Sequence, residues 1–211
     1  FYFDVLKDRL YTSAPKSQAR RAAQTAIWLI GETLAGLLAP IMSFTCEEVW
    51  RYLPQMPDRE ESVHLTRFPQ RADILGEAPV EDPRQKEDWT TLHAVRDEVL
   101  KALEEARNSK LIGGSLEAEV KVTASDPAYS VLARYRDQLR YLFIVSAATL
   151  EQGPSGNGTS GIKVEVRKAD GKKCERCWNY STHVGEDKEY PNVCERCSAV
   201  LREIETGTDA A

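Results

Sequence analysis

The feature that most constrains this 211-residue chain is a doubled cysteine pair near its C-terminal end, Cys174-Glu-Arg-Cys177 and Cys194-Glu-Arg-Cys197. The sixteen residues between the pairs fall inside the roughly 15 to 20 that let two C-x-x-C turns converge on one ion. Each turn brings two thiolates to the metal, and four thiolates complete a tetrahedron at roughly 2.3 Å, leaving no position for a catalytic water. The pattern predicts one structural zinc ion per chain, held by these four side chains. A redox C-x-x-C competes poorly, because a lone redox motif gives no reason for a second copy downstream. An iron–sulfur centre is the other competitor. His183 lies between the pairs, but four thiolates close the shell, so it reads as a polar loop residue.

With four of five cysteines paired in this way, the thiols read as metal ligands in a reducing compartment, which predicts a cytoplasmic location. The longest apolar stretch, Ala22 to Met42, is broken by Gln24, Thr25, Glu32 and Thr33, so it is a core helix and no membrane span is expected. The first residue is Phe1 and no signal peptide is visible, so the sequence reads as a piece of a longer protein. A net charge of -5 argues against a surface uniformly adapted to nucleic acid. The charge is unevenly spread, however. Lys7, Arg9, Lys16, Arg20 and Arg21 outnumber Asp4 and Asp8 in the first 31 residues, and a second basic run, Lys163 to Arg176, includes Lys172 and Lys173.

Hydrophobic periodicity divides the chain into three parts, which read as mainly helical with a small α+β portion. In the first, residues 1–113, Ile27, Ile30, Leu34, Leu37, Leu38 and Ile41 recur at helical spacing and form one inward face. Thr45 and Glu48 read as a capping box opening a short helix with Val49, Trp50 and Leu53 inside, ended by Pro54. Residues 54–88 read as an extended connection tacked down by Val63, Leu65 and Phe68. A second long helix places Trp89, Leu92, Val95, Val99, Leu103 and Ala106 inward and closes at Gly113 and Gly114. The second part, 114–161, is a small α/β junction: a strand alternating from Leu116 to Ala124, a helix from Asp126-Pro127 through Leu139, a central strand from Leu142 to Leu150, and a glycine and serine linker at 153–161. The third, 162–211, is one more strand followed by the cysteine module.

The chain carries no phosphate loop, no dinucleotide fingerprint and no nucleophile–histidine arrangement; His64 and His93 are isolated, and Cys46 reads as a buried inert thiol. No catalytic residue is expected. Around the first cysteine turn, Arg176, Trp178, Lys172 and Lys173 gather cations beside a large aromatic face, a set that suits phosphates and unpaired bases. Trp178 serves equally well as the small core of the module, and the residues alone leave both readings open. Arg20 and Arg21 open a helix where acids favour the dipole, a misfit that contact with phosphate would explain and a solvated face would also permit.

Several stretches together resemble a known family. Phe3-Asp-Val-Leu-Lys-Asp-Arg-Leu-Tyr11, Arg20-Arg-Ala-Ala-Gln-Thr25 and Ala39-Pro-Ile-Met-Ser-Phe-Thr-Cys-Glu-Glu-Val-Trp50 are similar to the anticodon-binding helical domain of class I aminoacyl-tRNA synthetases of the isoleucine, valine and leucine group. Val95-Arg-Asp-Glu-Val99, Ala106-Arg-Asn-Ser-Lys-Leu-Ile-Gly-Gly-Ser-Leu-Glu-Ala118 and the C-E-R-C-W ribbon narrow the resemblance to the bacterial-type isoleucyl enzymes. It implies an anticodon-binding helix bundle, a junction domain and a zinc ribbon that engage the anticodon stem-loop of isoleucine tRNA. The resemblance also implies that Arg176 and Trp178 stand at family positions associated with tRNA contact, and Arg20 or Arg21 on the anticodon-facing bundle.

The family's H-I-G-H and K-M-S-K-S motifs and its editing insertion are absent from these residues. The resemblance therefore implies that ATP and magnesium belong to a catalytic domain outside them, that the remainder of the synthetase is a partner, and that the assembly is monomeric. Formamidopyrimidine-type DNA glycosylases also end in a comparable zinc ribbon, but the processed N-terminal proline and adjacent glutamate they need are not seen here. A ribbon used only for protein contact is the third reading.

Overall fold

The computed structural model describes residues 1–57, 59–75, 82–154 and 161–208. They form two compact units, one made of Phe1–Ala14 and Glu81–Ala211, the other of Pro15–Val80. In chain order, α1 is Tyr2–Thr12, α2 Gln18–Leu38, α3 Ser43–Tyr52, α4 Arg71–Leu75 and α5 Pro83–Asn108. The junction contributes β1 at Ala118–Ala124, α6 at Ala128–Arg134, α7 at Leu139–Phe143, β2 at Ala147–Gln152 and β3 at Ile162–Lys168. The cysteine module adds β4, Lys172–Lys173, β5, Tyr180–Ser181, and α8, Glu195–Thr208. Among the described residues no helix is long and apolar enough to cross a membrane.

In the smaller unit, α2 starts after Ser17, whose hydroxyl accepts from the Arg20 amide. Small residues carry the packing: Ala35 and Ala39 meet Cys46, Trp50 and Val63 in a compact core, so the thiol of Cys46 is buried as expected. Trp50 Nε1 donates to the Glu60 carbonyl at 2.9 Å, and the Arg59 guanidinium lies 3.7 Å from its ring centre. The apolar stripe expected to face inward is largely open instead, with Leu34 48% and Ile41 82% exposed. Periodicity marks a face that can be buried, but the buried residues of that stretch are the alanines Ala23, Ala35 and Ala39.

The expected capping box does not form. α3 begins at Ser43, two residues before Thr45, with no side-chain cap, and it buries Cys46 and Trp50 while Val49 stays exposed. Of the three apolar anchors expected in the connection, Val63 is buried in a single 3-10 turn, whereas Leu65 and Phe68 are exposed. Residues 58 and 76–81 of that connection lie outside the described residues.

In the larger unit β1 runs centrally, parallel to β2 and antiparallel to β3, in the order β2-β1-β3. Its alternation places Ala118, Val120, Val122 and Ala124 in the core and Glu119, Lys121 and Thr123 outward. α5 covers the sheet of this unit with Leu92, Val95, Val99, Leu103 and Ala106. It starts at Pro83, capped by Asp82, six residues before the expected Trp89, which is itself 36% exposed. The left-handed residue that ends it is Lys110, with φ 59, and not Gly113 or Gly114.

The apolar run Leu142–Leu150 is also not one central strand. Leu139–Phe143 forms α7, Ile144 turns the chain with φ 57, and only Ala147–Gln152 pairs, as an edge strand. The helix expected from Pro127 to Leu139 is divided into α6, a 3-10 turn and α7. Of the expected linker, residues 155–160 lie outside the described residues.

Candidate metal centre and nucleic-acid interface

Asp170-Gly171 turns the chain from β3 into the cysteine module. Gly171 has φ +91, and a Cβ there would run into the backbone of Ser181 on the paired strand β5. The first turn of the module is closed by backbone bonds: the Cys174 amide donates to the Asn179 carbonyl at 2.8 Å, and the Trp178 amide to the Cys174 carbonyl at 2.9 Å. Trp178 adopts φ 65 to complete it. Cys194 stands just before α8 and Cys197 within its first turn.

The four Sγ atoms of Cys174, Cys177, Cys194 and Cys197 all lie within 4.8 Å of one another, and Cys177 and Cys194 are 3.7 Å apart. A regular tetrahedron with metal–sulfur bonds of about 2.3 Å has edges of about 3.8 Å, so this donor set fits a zinc ion. Cys174, Cys194 and Cys197 are buried and Cys177 is half-buried. Contact with the Cys194 and Cys197 thiols holds Cys177 far below the ordinary thiol range. The same crowding around Cys177 pushes Cys194 up to about 11, and pushes Cys197 up as well. A divalent metal bound by these four side chains would stabilise all of them as thiolates. Zinc bound here would fold the module, whose own buried cluster is the cysteines with Val184 and Val193 packed against them. His183 stays outside the cluster, paired with Glu186.

Around this centre the candidate RNA residues divide. Trp178 is 60% exposed, so it is not the core of the module, and the Lys173 ammonium sits 5.3 Å from its ring centre. Lys172 and Lys173 are exposed on β4. Arg176 is half-buried: Nη1 donates to the Thr12 carbonyl at 2.5 Å and reaches the Cys197 sulfur at 3.7 Å. Arg20, half-buried, and Arg21, exposed, stand in the first turn of α2, in the other compact unit.

Sequence reasoning missed what lies beside the indole. A cavity of about 450 Å³ opens between α1, α7 and the first cysteine turn, lined by Asp8, Tyr11, Tyr141, Ile144 and Arg176 as well as Trp178. Arg140 donates to the Tyr141 hydroxyl at 2.5 Å on the same wall. No local signal in the sequence joins these residues, because they meet only when α1, the junction and the ribbon pack together.

The helical and zinc-bearing parts both match known families. Residues 1–122 match the family described as the anticodon-binding domain of tRNA ligase, and residues 171–200 match the zinc finger found in FPG and IleRS. The chain belongs to the family of tRNA ligases that carry this anticodon-binding domain. Among curated relatives it is 48% identical over 206 residues to the isoleucine–tRNA ligase of Syntrophotalea carbinolica, covering 95% of this chain and 22% of that protein. It is 47% identical to that of Dichelobacter nodosus, over 93% of the chain and 20% of the relative. It is 45% identical to that of Gloeobacter violaceus, over 95% and 20% respectively. The chain thus spans about a fifth of the length of these relatives. The anticodon-binding match over the helices does not favour the glycosylase alternative.

Proposed function

We propose that these residues are the tRNA-recognition part of an isoleucine–tRNA ligase, reading the anticodon stem-loop of isoleucine tRNA while the cysteine cluster holds one structural zinc ion. The observation that carries the reading is the exposed indole of Trp178, set beside Lys173 on a cysteine-anchored turn in a chain whose relatives are isoleucine–tRNA ligases. An aromatic face with adjacent cations binds unstacked bases and their phosphates. Lys172, Lys173 and Arg21, all exposed, supply charge for the backbone.

The zinc takes no part in chemistry, because four cysteines fill its coordination shell. Joining isoleucine to tRNA with ATP and magnesium would be the work of the remaining four-fifths of a ligase of the relatives' length. Binding energy spent at the anticodon would fix the distant acceptor end for aminoacyl transfer. Thiolate ligation suits a reducing cytoplasm.

The test is the affinity of the zinc-loaded chain for isoleucine tRNA, for the same tRNA with an altered anticodon, and for duplex DNA of matched length, across a salt series. Tightest binding to the unaltered tRNA supports the proposal. Equal affinity for all three overturns it.

A further inference from the structure

Arg176 touches α1 and the cysteine cluster at once and stands two residues before Trp178. Its Nη1 donates to the carbonyl of Thr12, the last residue of α1, at 2.5 Å. Such terminal carbonyls have no partner within their own helix, and a cation there also meets the negative end of the dipole. The same nitrogen reaches the sulfur of Cys197 at 3.7 Å. Along the chain, Arg176 stands two residues before Trp178, whose amide is held by the Cys174 carbonyl and whose backbone is left-handed at φ 65. The segment 176–178 is therefore tied at one end to α1, in the middle to the cysteine cluster, and ends in an indole that is 60% exposed. Trp178, Arg176, Tyr11 and Thr12 all line the cavity beside it.

We propose that Arg176 is a positioning residue for RNA recognition: it fastens the first cysteine turn to α1 so that Trp178 stands at the rim of this cavity, and it acts on RNA through Trp178 and not by touching a phosphate. The geometry sets it apart from its neighbours. Lys172 and Lys173 are exposed cations, whereas Arg176 is half-buried with its Nη1 engaged inside the protein. A guanidinium suits this task because it stays charged and one Nη carries two N–H donors, enough for the helix-end carbonyl and the sulfur together. The proposal rests on the tRNA-binding reading above.

The experiment is a double-mutant cycle on the zinc-loaded 211-residue chain with isoleucine tRNA, measured from low to moderate salt. Arg176→Ala should weaken binding about tenfold with the salt slope of the parent chain, and should weaken it no further when Trp178 is already alanine. Lys173→Ala, in contrast, should lower the salt slope by about one. Additive losses together with a shallower slope for Arg176→Ala would make it a phosphate contact and overturn the proposal. Unchanged affinity would make it merely structural and overturn it equally. If Arg176→Ala does not retain zinc, Arg176→Met, which keeps the apolar stem but has no donor for the Thr12 carbonyl, carries the same comparison.

Deuterium exchange of the RNA-free chain separates this proposal from the functional reading. Exchange at the last turn of α1 and at the Trp178 amide should rise in Arg176→Ala, whatever the parent chain binds. Parent chain that fails to prefer the tRNA would refute the reading of function; unchanged exchange would refute the fastening itself.

Discussion

Arg196, in the first turn of α8, forks onto the carboxylate of Asp8 on α1, with Nη1–Oδ1 at 2.5 Å and Nη2–Oδ2 at 2.8 Å across 188 positions of sequence. The two side chains retain 28% and 20% of their exposure, so solvent screens the pair only in part. Burial disfavours the charge on Arg196, but Asp8 and the nearby Cys177 outweigh it and raise the pKa of the guanidinium. Together with Arg176 on the Thr12 carbonyl, this pair anchors the zinc module on the first helix.

Asp8→Ala would leave Arg196 half-buried with no carboxylate. Charge-assisted bonds of this bidentate kind contribute about 1.5 to 3 kcal/mol, and urea denaturation of the zinc-loaded chain should lose that much. A loss under about 0.5 kcal/mol would mean that water replaces the pair without cost.

Removing zinc should unfold the cysteine module and leave the sheet intact. The module's own buried cluster is its cysteines, with Val184 and Val193 packed against them, whereas Val99, Val120, Val122, Leu132 and Phe143 form a separate buried core. Deuterium exchange after chelation should therefore rise across 172–208 and stay low in β1 and α5. Uniform exchange throughout the chain would contradict this. Zinc should also be released as pH falls, since protons compete for the thiolates.

Asp88 gives a pH dependence with a definite sign. It is buried at the start of α5, where Arg134 and Tyr135 donate to it. The hydrogen bond from Arg134 holds its carboxyl below the ordinary value of 3.8. A carboxylate depressed in the folded state adds stability that is fully present above its unfolded pKa and is lost as pH falls through the folded one. Asp88→Asn should thus be less stable than the parent at neutral pH, and the two stability curves should converge below about pH 4. Parallel curves in acid would show that Asp88 does not supply the difference.

Lys110 carries a side chain at φ 59, where a residue with a Cβ is strained. Lys110→Gly should raise stability by about 0.5 to 1 kcal/mol in chemical denaturation, relieving the strain at some cost in unfolded-chain entropy. Destabilisation would show that the Lys110 side chain contributes more than its backbone strain removes.

Legibility in the sequence followed the range of the interaction. The cysteine turns were readable because each pair reaches one ion through two intervening residues, and β1 because alternation is a local property of the strand. Strand order was not readable: the apolar run Leu142–Leu150 has the composition of a central strand, and only the pairing of β1 with β3 makes β2 an edge. The face of α2 was visible as a stripe, but which part of it is buried depends on where Trp50 and Val63 meet Ala35 and Ala39. Trp178 was found as a candidate through its neighbours in sequence, while Asp8, Tyr11 and Tyr141 had no signal at all, since they reach the cavity from distant elements.

The central claim, that the zinc module exists to hold an indole out for RNA, is tested most directly by Trp178→Ala in the zinc-loaded chain, with tRNA affinity and bound zinc measured on the same sample. Because Trp178 is exposed and is not part of the buried cysteine cluster, binding to isoleucine tRNA should weaken by about 1 to 3 kcal/mol with one zinc retained per chain. Unchanged affinity, or zinc lost together with binding, would contradict the account.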